Sequence, residues 1–402
     1  MNSQHILVVN VHFAPNTYGG ATVVAEQVAY ALLRRRNMRI TAVSLCQREE
    51  LAPYTLLKTE TKGIVNYLIN VPAQRSYAQS YDNPEITARL VELLEMVDPD
   101  LVHVHCIQDM GTGIILAAEA ANVRLVLSVH DFWWICERQF MQRIDQTYCG
   151  QNPVQIESCK GCAENFWAAK VRHQHLAELG ARAALVTYPS KFAKTLCEAS
   201  GFAVGRGVIW ENGVHLPKGA FFEAQAARRK SDDLLTFGYL GGPSQIKGWP
   251  QIKQAFAGFS RDGFRVLLVD GSLDQSWWKG ADFSQMPGSW EIVPRFEQSQ
   301  MDEFFARIDV LLFMSQWKET YGLAIREALA RGIRVIQTDS GGTVEHTGPK
   351  DKELIAIGAP VAELQDALEG AVETHPKFQS PVWVQSFEHQ AAQFEELIAG
   401  LD

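Results

Sequence analysis

Two glutamates, Glu319 and Glu327, stand eight positions apart in the segment ETYGLAIREALARG. The first precedes a predicted helix that begins near Tyr321, and the second lies on that helix. At the helix start the N–H groups of Tyr321, Gly322 and Leu323 have no partner inside the helix. They can face a diphosphate there, because the helix dipole is positive at this end. The two carboxylates can accept hydrogen bonds from hydroxyl groups on either side of the phosphates.

This spacing predicts a ligand that carries phosphates between two polyols. An alternative interpretation needs no ligand: Glu319 stabilises the first turn of the helix, and Glu327 is a solvated residue on the helix surface. Taken alone, the segment does not decide between the two.

A pair of glycines, Gly19 and Gly20, ends the loop FAPNTYGG and precedes a predicted helix that begins near Ala21. Glycines at this place let a phosphate approach main-chain N–H groups at the positive end of the helix. A tight turn between strand and helix is the simpler interpretation. The loop does not match the pattern G-x-G-x-x-G, which argues against a dinucleotide-dependent oxidoreductase.

Four of the seven cysteines cluster in one polar segment, with the spacing C-x12-C-x9-C-x2-C: Cys136, Cys149, Cys159 and Cys162. Four thiolates can complete a tetrahedral metal site, and we expect a structural zinc ahead of an iron–sulfur cluster. Such a site has no open coordination position, so the metal would order the loop and do no chemistry. Two disulfides are disfavoured in a reducing compartment, and unliganded thiols are the remaining alternative.

Short β-rich runs alternate with helical stretches along the chain, which is typical of parallel strands joined by crossover helices. The strands predicted in the first half are Ile6 to Val9, Ile40 to Val43, Leu101 to Val104, Leu125 to Val129, Ala184 to Thr187 and Val208 to Trp210. After a polar stretch from Pro217 to Asp233 the predicted strands are Leu234 to Phe237, Arg265 to Val269, Glu291 to Val293, Val310 to Phe313 and Arg334 to Ile336. We therefore expect an α/β protein of two domains.

Two helices are predicted from apolar periodicity. In the first, Val24, Val28 and Leu32 recur every four residues and make one apolar stripe. The second is a closing helix in the segment Val382 to Leu401. The chain length of 402 residues also favours two domains, because a single core rarely serves more than about 300 residues.

Charge and hydrophobicity exclude two classes of function. A net charge of −9 argues against extensive nucleic-acid binding, and no stretch approaches the roughly 20 apolar residues that span a bilayer. The beginning of the sequence lacks the features of a secretory signal, so we expect a cytoplasmic protein. A basic cluster at the end of the first predicted helix is expected to be solvated; contact with anionic lipid at the inner face of the membrane is the alternative. Its members are Arg34, Arg35, Arg36 and Arg39.

Five segments together resemble glycosyltransferase family 4, which has the GT-B fold. The two-glutamate segment, followed by TDSGGTVE, is the most specific of them. The others occur in the expected order: FAPNTYGG near the N-terminus, LVLSVHDFWW at Leu125 to Trp134, IWENGVHL at Ile209 to Leu216 and GYLGGPSQIKGW at Gly238 to Trp249. The resemblance covers nearly the whole chain.

The resemblance implies two Rossmann-like parallel-sheet domains that face each other across a cleft. Residues 1–216 would form the acceptor-side domain, and the last helix, within 382–402, would cross back to it. Residues 217–381 would form the domain that binds the nucleotide-sugar. The acceptor is expected to be a glycan or a lipid-linked oligosaccharide, because members with cysteines after HDFWW resemble enzymes of bacterial polysaccharide biosynthesis.

The resemblance also implies a hexosyl- or related transferase that retains configuration at the transferred sugar and needs no catalytic divalent metal. Glu319 would contact the transferred sugar, Glu327 would contact the ribose, and His130 would lie close to the sugar. Lys247 and the N–H groups at the helix start would stabilise the leaving diphosphate, where negative charge develops.

One position departs from the family pattern. Members often have arginine directly after the first glycine of G-R-L-x-x-x-K-G, and this sequence has Gly242 there. We expect main-chain N–H groups of the G-G-P turn to replace the arginine. Arg295 is an alternative cation, and weaker binding of the diphosphate is a third outcome.

Two other functions are compatible with the same fold. A nucleotide-sugar epimerase or hydrolase would need no acceptor, and analysis of its products would identify it. A catalytically silent subunit that binds a partner or a glycan is suggested only by the missing arginine.

Overall fold

A computed structural model describes residues 4–259, 262–348, 354–374 and 379–401. Within them the chain forms two compact units. The first contains residues 4–141, 150–213 and 385–401, and the second contains residues 142–149 and 214–384. Residues 142–149 belong to the second unit, although the predicted first domain included them. The outermost residues of the predicted domains, Met1 and Asp402, lie outside the described residues.

The first unit is built on an eight-stranded sheet. Its strands are β1 (Gln4–Val9), β2 (Met38–Cys46), β3 (Leu56–Thr61), β4 (Ile64–Asn70), β5 (Leu101–Val104), β6 (Arg124–Ser128), β7 (Leu185–Tyr188) and β8 (Gly207–Ile209). Their order is β3-β4-β2-β1-β5-β6-β7-β8. Every pair is parallel except β3 with β4.

The central strands were predictable because they are short, mostly apolar runs that are buried on both sides, as in β5 with the sequence LVHV, all four residues of which are buried. The hairpin of β3 and β4 was not predicted. No residue of β3 is fully buried, and its sequence LLKTET resembles a polar loop. An edge strand carries this weaker signal because one of its faces meets water.

The helices of the first unit are α1 (Gly19–Leu33), α2 (Pro84–Val97), α3 (Gly113–Ala120), α4 (Phe166–Gly180), α5 (Lys191–Ala199) and α11 (Phe387–Ala399). In α1 the predicted stripe of Val24, Val28 and Leu32 is buried. The closing helix α11 packs on the sheet of this unit, where Trp210 donates from its indole to the carbonyl oxygen of Gln390.

The arginines of the basic cluster in the first unit are exposed, and three of them have polar partners. Arg34 lies 2.8 Å from Glu388, and Arg35 pairs with Glu395; both carboxylates are on α11. Arg39 is not at a helix end but in β2, where its guanidinium lies 2.6 Å from Nδ1 of His5. All four arginines are exposed, so the expectation of a solvated cluster is confirmed. The contacts give no support to lipid binding by this cluster.

The second unit is built on a six-stranded parallel sheet. Its strands are β9 (Leu235–Tyr239), β10 (Phe264–Asp270), β11 (Ser289–Pro294), β12 (Val310–Phe313), β13 (Arg334–Thr338) and β14 (Leu354–Ile355). Their order is β11-β10-β9-β12-β13-β14. The helices are α6 (Gly219–Ser231), α7 (Trp249–Ala257), α8 (Met301–Phe305), α9 (Leu323–Ala330) and α10 (Val361–Thr374). The polar stretch after Pro217 is thus mostly the helix α6.

Helices cover this sheet on both faces. Val266 and Leu268 of β10 belong to one buried cluster, while Leu267 and Val269 belong to another. Successive side chains of a strand point to opposite faces, so both faces of the sheet are buried. Among the described residues, no helix is long and apolar enough to span a bilayer.

Candidate functional site

Lys247 and Glu319 follow the two strands at which the order of the second sheet reverses. Lys247 comes after β9, and Glu319 comes after β12; these strands are neighbours, although β10 and β11 come between them in sequence. In open α/β sheets, ligands bind outside the carboxyl ends of the strands at such a reversal. The connectivity alone therefore marks this edge as the place for a site.

The side chains of Lys247 and Glu319 form an ion pair. Nζ of Lys247 lies 2.6 Å from Oε1 of Glu319, and the hydroxyl of Ser315 donates to the same oxygen at 2.5 Å. The ammonium group also lies 5.2 Å from the ring centre of Trp317 and 5.9 Å from that of Phe313. The lysine side chain keeps 32% of its surface exposed, so an incoming anion can reach its charge.

Lys247 is held by a tightly packed loop. The hydroxyl of buried Tyr239 lies 2.9 Å from the carbonyl oxygen of Gly242 and 3.1 Å from that of Lys247. Gly248 has φ +79°, and a Cβ atom there would overlap the carbonyl oxygen of Met314 at the end of β12. This close approach of two loops brings the lysine to the glutamate.

Glu319 is fixed through its backbone. Its N–H donates to the carbonyl oxygen of Ser340 at 2.8 Å, and its carbonyl oxygen accepts from the N–H of Gly342 at 2.9 Å. The preceding residue that contacts its carboxylate, Ser315, is tied to β13, because the hydroxyl of Thr338 donates to its carbonyl oxygen at 2.6 Å. The segment TDSGGTVE therefore acts as the support of Glu319.

The helix that carries the second glutamate, α9, begins at Leu323, two residues later than predicted. Gly322 precedes it with φ +85°, a conformation that favours glycine. A Cβ atom at Gly322 would lie 2.9 Å from Cγ2 of Thr343. The correction moves Tyr321 out of the helix, so the N–H groups at the helix start belong to Leu323 and the residues after it.

Glu327 is buried on α9 and keeps 8% of its surface exposed, so its interpretation as a solvated residue is wrong. Burial raises the pKa of this carboxyl to about 7, although the charge of Arg331 acts in the opposite direction. Arg331 is itself buried and pairs with Asp302 at 2.7 Å, so its charge is shared. A buried carboxyl whose pKa is raised to near 7 is typical of a functional site.

A buried arginine braces the loop behind the site. Arg326 of α9 donates to the carbonyl oxygens of Gly342, Thr343 and Glu345 at 2.9, 3.0 and 2.8 Å, and also to that of Tyr321. Its guanidinium lies 4.0 Å from the ring centre of Tyr321. Four carbonyl groups of two loops are thereby held by one side chain.

Gly242, the position of the expected arginine, has φ +68° and lies against an aromatic ring. A Cβ atom there would approach the ring of Trp277 to 2.7 Å. The positive φ and the close ring both require glycine at this turn. The idea that main-chain N–H groups of this turn replace the arginine stays a prediction.

The remaining predicted residues lie in the first unit. Gly19, with φ +77°, opens α1, and both Gly19 and Gly20 are exposed. Nothing lies within 4 Å of a Cβ atom built at Gly19, so its backbone conformation, and not packing, requires glycine.

His130 follows β6 and is linked to a second histidine. Its Nε2 lies 2.8 Å from Nδ1 of His105, which follows β5, and the two rings are nearly parallel. Burial lowers the pKa of His130 to about 4, so the ring is neutral near pH 7. A third ring, that of His103, lies 4.1 Å from the ring centre of His105.

The four clustered cysteines do not form the predicted metal site. All seven cysteines of the chain are described and are present as thiols. Within the described residues, no group of three or more His, Cys, Asp or Glu side chains is arranged to hold a metal ion. Cys149 also belongs to the second unit, whereas Cys136, Cys159 and Cys162 belong to the first. The structure therefore gives no support to zinc or to an iron–sulfur cluster at these cysteines.

Several residues that contribute to these sites were not predicted from the sequence. Ser315, Arg326 and Tyr239 carry no motif of their own, since their roles depend on contacts between separate loops. His105 could have been found, because the run VHVHC places two histidines on the same face at the end of a predicted strand.

Two family models cover most of the chain. The model described as glycosyltransferase family 4 matches residues 18–218, and the one described as glycosyl transferases group 1 matches residues 221–379. No curated protein matches this sequence.

Solved structures with the same fold are distant in sequence. Sucrose-phosphate synthase from Thermosynechococcus elongatus is 14% identical with a TM-score of 0.68, over 99% of each chain. Anabaena Alr3699/HepE in complex with UDP and glucose is 15% identical with a TM-score of 0.65, over 98% of this chain and 99% of that one. The catalytic domain of starch synthase IV from Arabidopsis thaliana, bound to ADP and acarbose, is 13% identical with a TM-score of 0.65, over 100% and 99%. The predicted fold class, an α/β protein of the GT-B type, is confirmed.

Proposed function

The chain belongs to glycosyltransferase family 4, and on that premise we propose that it transfers a sugar, with retention of configuration, from a nucleotide-diphosphate-sugar to a glycan or lipid-linked oligosaccharide. The observation that carries this proposal is the ion pair of Lys247 and Glu319 at the strand-order reversal of the second sheet. A cation and a carboxylate at this place suit a donor in which a diphosphate is bonded to a sugar.

The diphosphate needs positive potential as its negative charge grows. Lys247 supplies a full charge, and the N–H groups at the start of α9 supply the partial charge of a helix dipole. Groups that are fixed before the reaction stabilise the developing charge without reorganising. The ion pair also positions the lysine before the donor arrives.

The two glutamates would hold the two polyols of the donor. We assign Glu319 to the transferred sugar and Glu327 to the ribose, because carboxylates accept hydrogen bonds from hydroxyl groups. His130 is assigned a contact with the transferred sugar. In Anabaena Alr3699/HepE the bound molecules are UDP and glucose, which supports a uridine nucleotide as the first donor to try.

The proposed reaction is a group transfer without a redox step. The bond between the anomeric carbon and the phosphate oxygen breaks, and its electron pair leaves with the nucleoside diphosphate. An acceptor hydroxyl oxygen forms the new bond to the anomeric carbon, and its proton passes to the departing diphosphate. Members of this family commonly need no catalytic metal, and Lys247 with the helix N–H groups would take over the neutralisation of charge.

A panel of donors tests the proposal. Melting curves would be recorded with UDP-, GDP-, ADP- and dTDP-sugars, for the wild type and for Lys247→Ala. A ligand that binds only the folded protein raises the free energy of unfolding by about 2.7 kcal/mol at one hundred times its Kd. We expect one nucleotide to stabilise the wild type and to lose most of this effect in the variant. Equal stabilisation of both proteins would contradict the assignment of Lys247.

Turnover with the identified donor tests the rest. Product NMR would show whether the anomeric configuration of the donor is retained in a new glycosidic bond. Inversion would contradict retention, and free sugar or an epimer in place of a glycoside would point to a hydrolase or an epimerase. Binding without turnover on any glycan would favour the silent subunit. A cytoplasmic location, a membrane contact and a role in polysaccharide biosynthesis stay predictions.

A further inference from the structure

Three histidines and two hydroxyl residues form a row along the carboxyl ends of β5, β6 and β7. The ring of His103 contacts the hydroxyl of Ser128 through Nε2 at 2.8 Å, and this hydroxyl lies 2.7 Å from that of Thr187. His105 contacts His130 at 2.8 Å, from Nδ1 to Nε2. His103 and His105 are both buried, with exposures of 0% and 1%.

The contact between His105 and His130 is a hydrogen bond with one donor nitrogen and one acceptor nitrogen. Two ring nitrogens at this distance form a hydrogen bond only if one carries hydrogen and the other offers a lone pair. Burial lowers the pKa of His105 well below its ordinary value, and burial lowers that of His130 to about 4. Both rings are therefore neutral near pH 7, and each has one N–H group.

The other nitrogen of His105 decides the direction of this bond. Nε2 of His105 is buried and has no hydrogen-bond partner among the described residues. A buried N–H group without an acceptor is unfavourable, and such groups are rarer in proteins than unpaired acceptors. The proton of His105 therefore belongs on Nδ1, from which it is donated to Nε2 of His130.

The proton of the neighbouring His103 ring is placed by the same argument. Nδ1 of His103 is buried and has no partner within the described part of the chain, so its proton belongs on Nε2. It is donated to the hydroxyl of Ser128, which can in turn donate to Thr187. The two rings thus take opposite tautomers, because each places its single proton where an acceptor lies.

We propose that His105 is a positioning residue that fixes the tautomer of His130, with the proton of His130 on Nδ1. A histidine ring in water prefers the proton on Nε2, so the contact with His105 selects the less common form. The parallel rings, with centroids 5.1 Å apart, also fix the orientation of His130.

The consequence for catalysis rests on the proposed function. A neutral His130 whose Nδ1 carries the proton can donate a hydrogen bond to an oxygen of the transferred sugar. Because the ring is neutral, it has no additional proton to transfer to the leaving group. His130 therefore orients the sugar and is not a general acid. His105 acts through His130 and does not need to touch the substrate.

Nitrogen NMR of the full-length protein tests the tautomer directly, without any donor or acceptor. Histidine labelled with ¹⁵N in the ring would be incorporated, and the signals of His130 would be assigned from the variant His130→Gln. We expect Nδ1 of His130 to carry the proton near pH 7 and Nε2 to have the shift of a hydrogen-bonded lone pair. A wild-type protein with the proton on Nε2 of His130 overturns the proposal, whatever the protein catalyses.

Three variants separate positioning from loss of a buried ring. His105→Leu removes the donor, and His105→Asn keeps an N–H group near the place of Nδ1. His103→Leu is the matched control, because it removes a buried imidazole from the same strand end whose hydrogen bond goes to Ser128. We expect His105→Leu to shift His130 toward the Nε2–H form and to lower kcat by about a hundredfold with little change in KM for the donor.

The other two variants complete the test. His105→Asn should keep the Nδ1–H form and recover most of the turnover, and His103→Leu should leave the tautomer of His130 unchanged. Loss of turnover in His105→Leu with an unchanged tautomer would overturn positioning and leave a structural effect. If His105→Leu does not fold, the wild-type spectrum and His105→Asn still decide the question.

Discussion

Lys247 and Glu319 are 72 residues apart in sequence, and their charged groups lie 2.6 Å apart at the carboxyl end of one sheet. The pair exists because β9 and β12 are adjacent strands, so the loops that follow them meet. Glu319 is further fixed by Ser315 and by the backbone of the segment after β13. The pair is only partly shielded from solvent, since its lysine is about one-third exposed.

Removing either member of this pair should abolish most of the transfer and leave the fold intact. We expect Lys247→Ala and Glu319→Ala each to lower kcat by about 10²- to 10³-fold, as for the loss of one fixed group that stabilises developing charge. Stability should fall by only about 1 kcal/mol, because an ion pair that is partly exposed contributes little. Lys253→Ala and Glu303→Ala, at exposed positions of the same unit, should keep wild-type rates. Wild-type turnover in Lys247→Ala would contradict the assignment.

The buried carboxyl of Glu327 should make stability depend on pH. Its pKa is about 7 in the folded protein, above the ordinary value of 4.5, so the folded state binds the proton more tightly. The free energy of unfolding should therefore fall as pH rises from about 4.5 to 7, by up to about 3 kcal/mol. Glu327→Gln should lose this component, since its side chain is neutral throughout. Denaturant unfolding of both proteins at several pH values measures the difference.

Glu303→Gln provides the control for this measurement, because Glu303 is exposed on α8. It should keep the pH dependence of the wild type. If Glu327→Gln and the wild type lose stability equally over this range, Glu327 is ionised in the folded protein and the pKa of about 7 is wrong.

Arg326 should matter more for stability than an exposed arginine does. Arg326→Met removes the donor to four carbonyl groups behind the site, and leaving buried polar groups unpaired costs about 1–3 kcal/mol for each. We expect a loss of about 3 kcal/mol or more in the free energy of unfolding, together with weaker donor binding. Arg307→Met, which breaks an exposed pair with Glu291, should cost about 1 kcal/mol or less. Similar losses in the two variants would refute the bracing role.

Gly322→Ala tests the turn before α9. Alanine at φ +85° is strained, and its Cβ atom would press on Thr343, so stability should fall by about 1–2 kcal/mol. Donor binding should weaken as well, because the start of α9 would shift. Gly370→Ala is the matched control: it lies inside α10 with nothing within 4 Å, and it should raise stability by about 0.5–1 kcal/mol. A neutral Gly322→Ala would show that this turn tolerates a side chain.

Much of the fold could be predicted because the strands of a buried parallel sheet are nearly continuous apolar runs. β5 and β12 were found at their observed bounds, whereas the hairpin of the partly exposed β3 and the largely buried β4 was missed. The predicted metal site has no support in the structure, for a different reason. A C-x2-C pair and two further cysteines give the right ligand types, but spacing does not bring thiols into one tetrahedron.

The sequence by itself determined the family, the α/β fold and the identity of the main charged residues, because these depend on local patterns and on order along the chain. Only the tertiary structure decided that Glu327 is buried and that Lys247 pairs with Glu319. It also brought His105 within 2.8 Å of His130, a contact on which the proposed tautomer of His130 rests. Burial and pairing arise between segments distant in sequence, and they set the charge and the proton positions on which the chemistry depends.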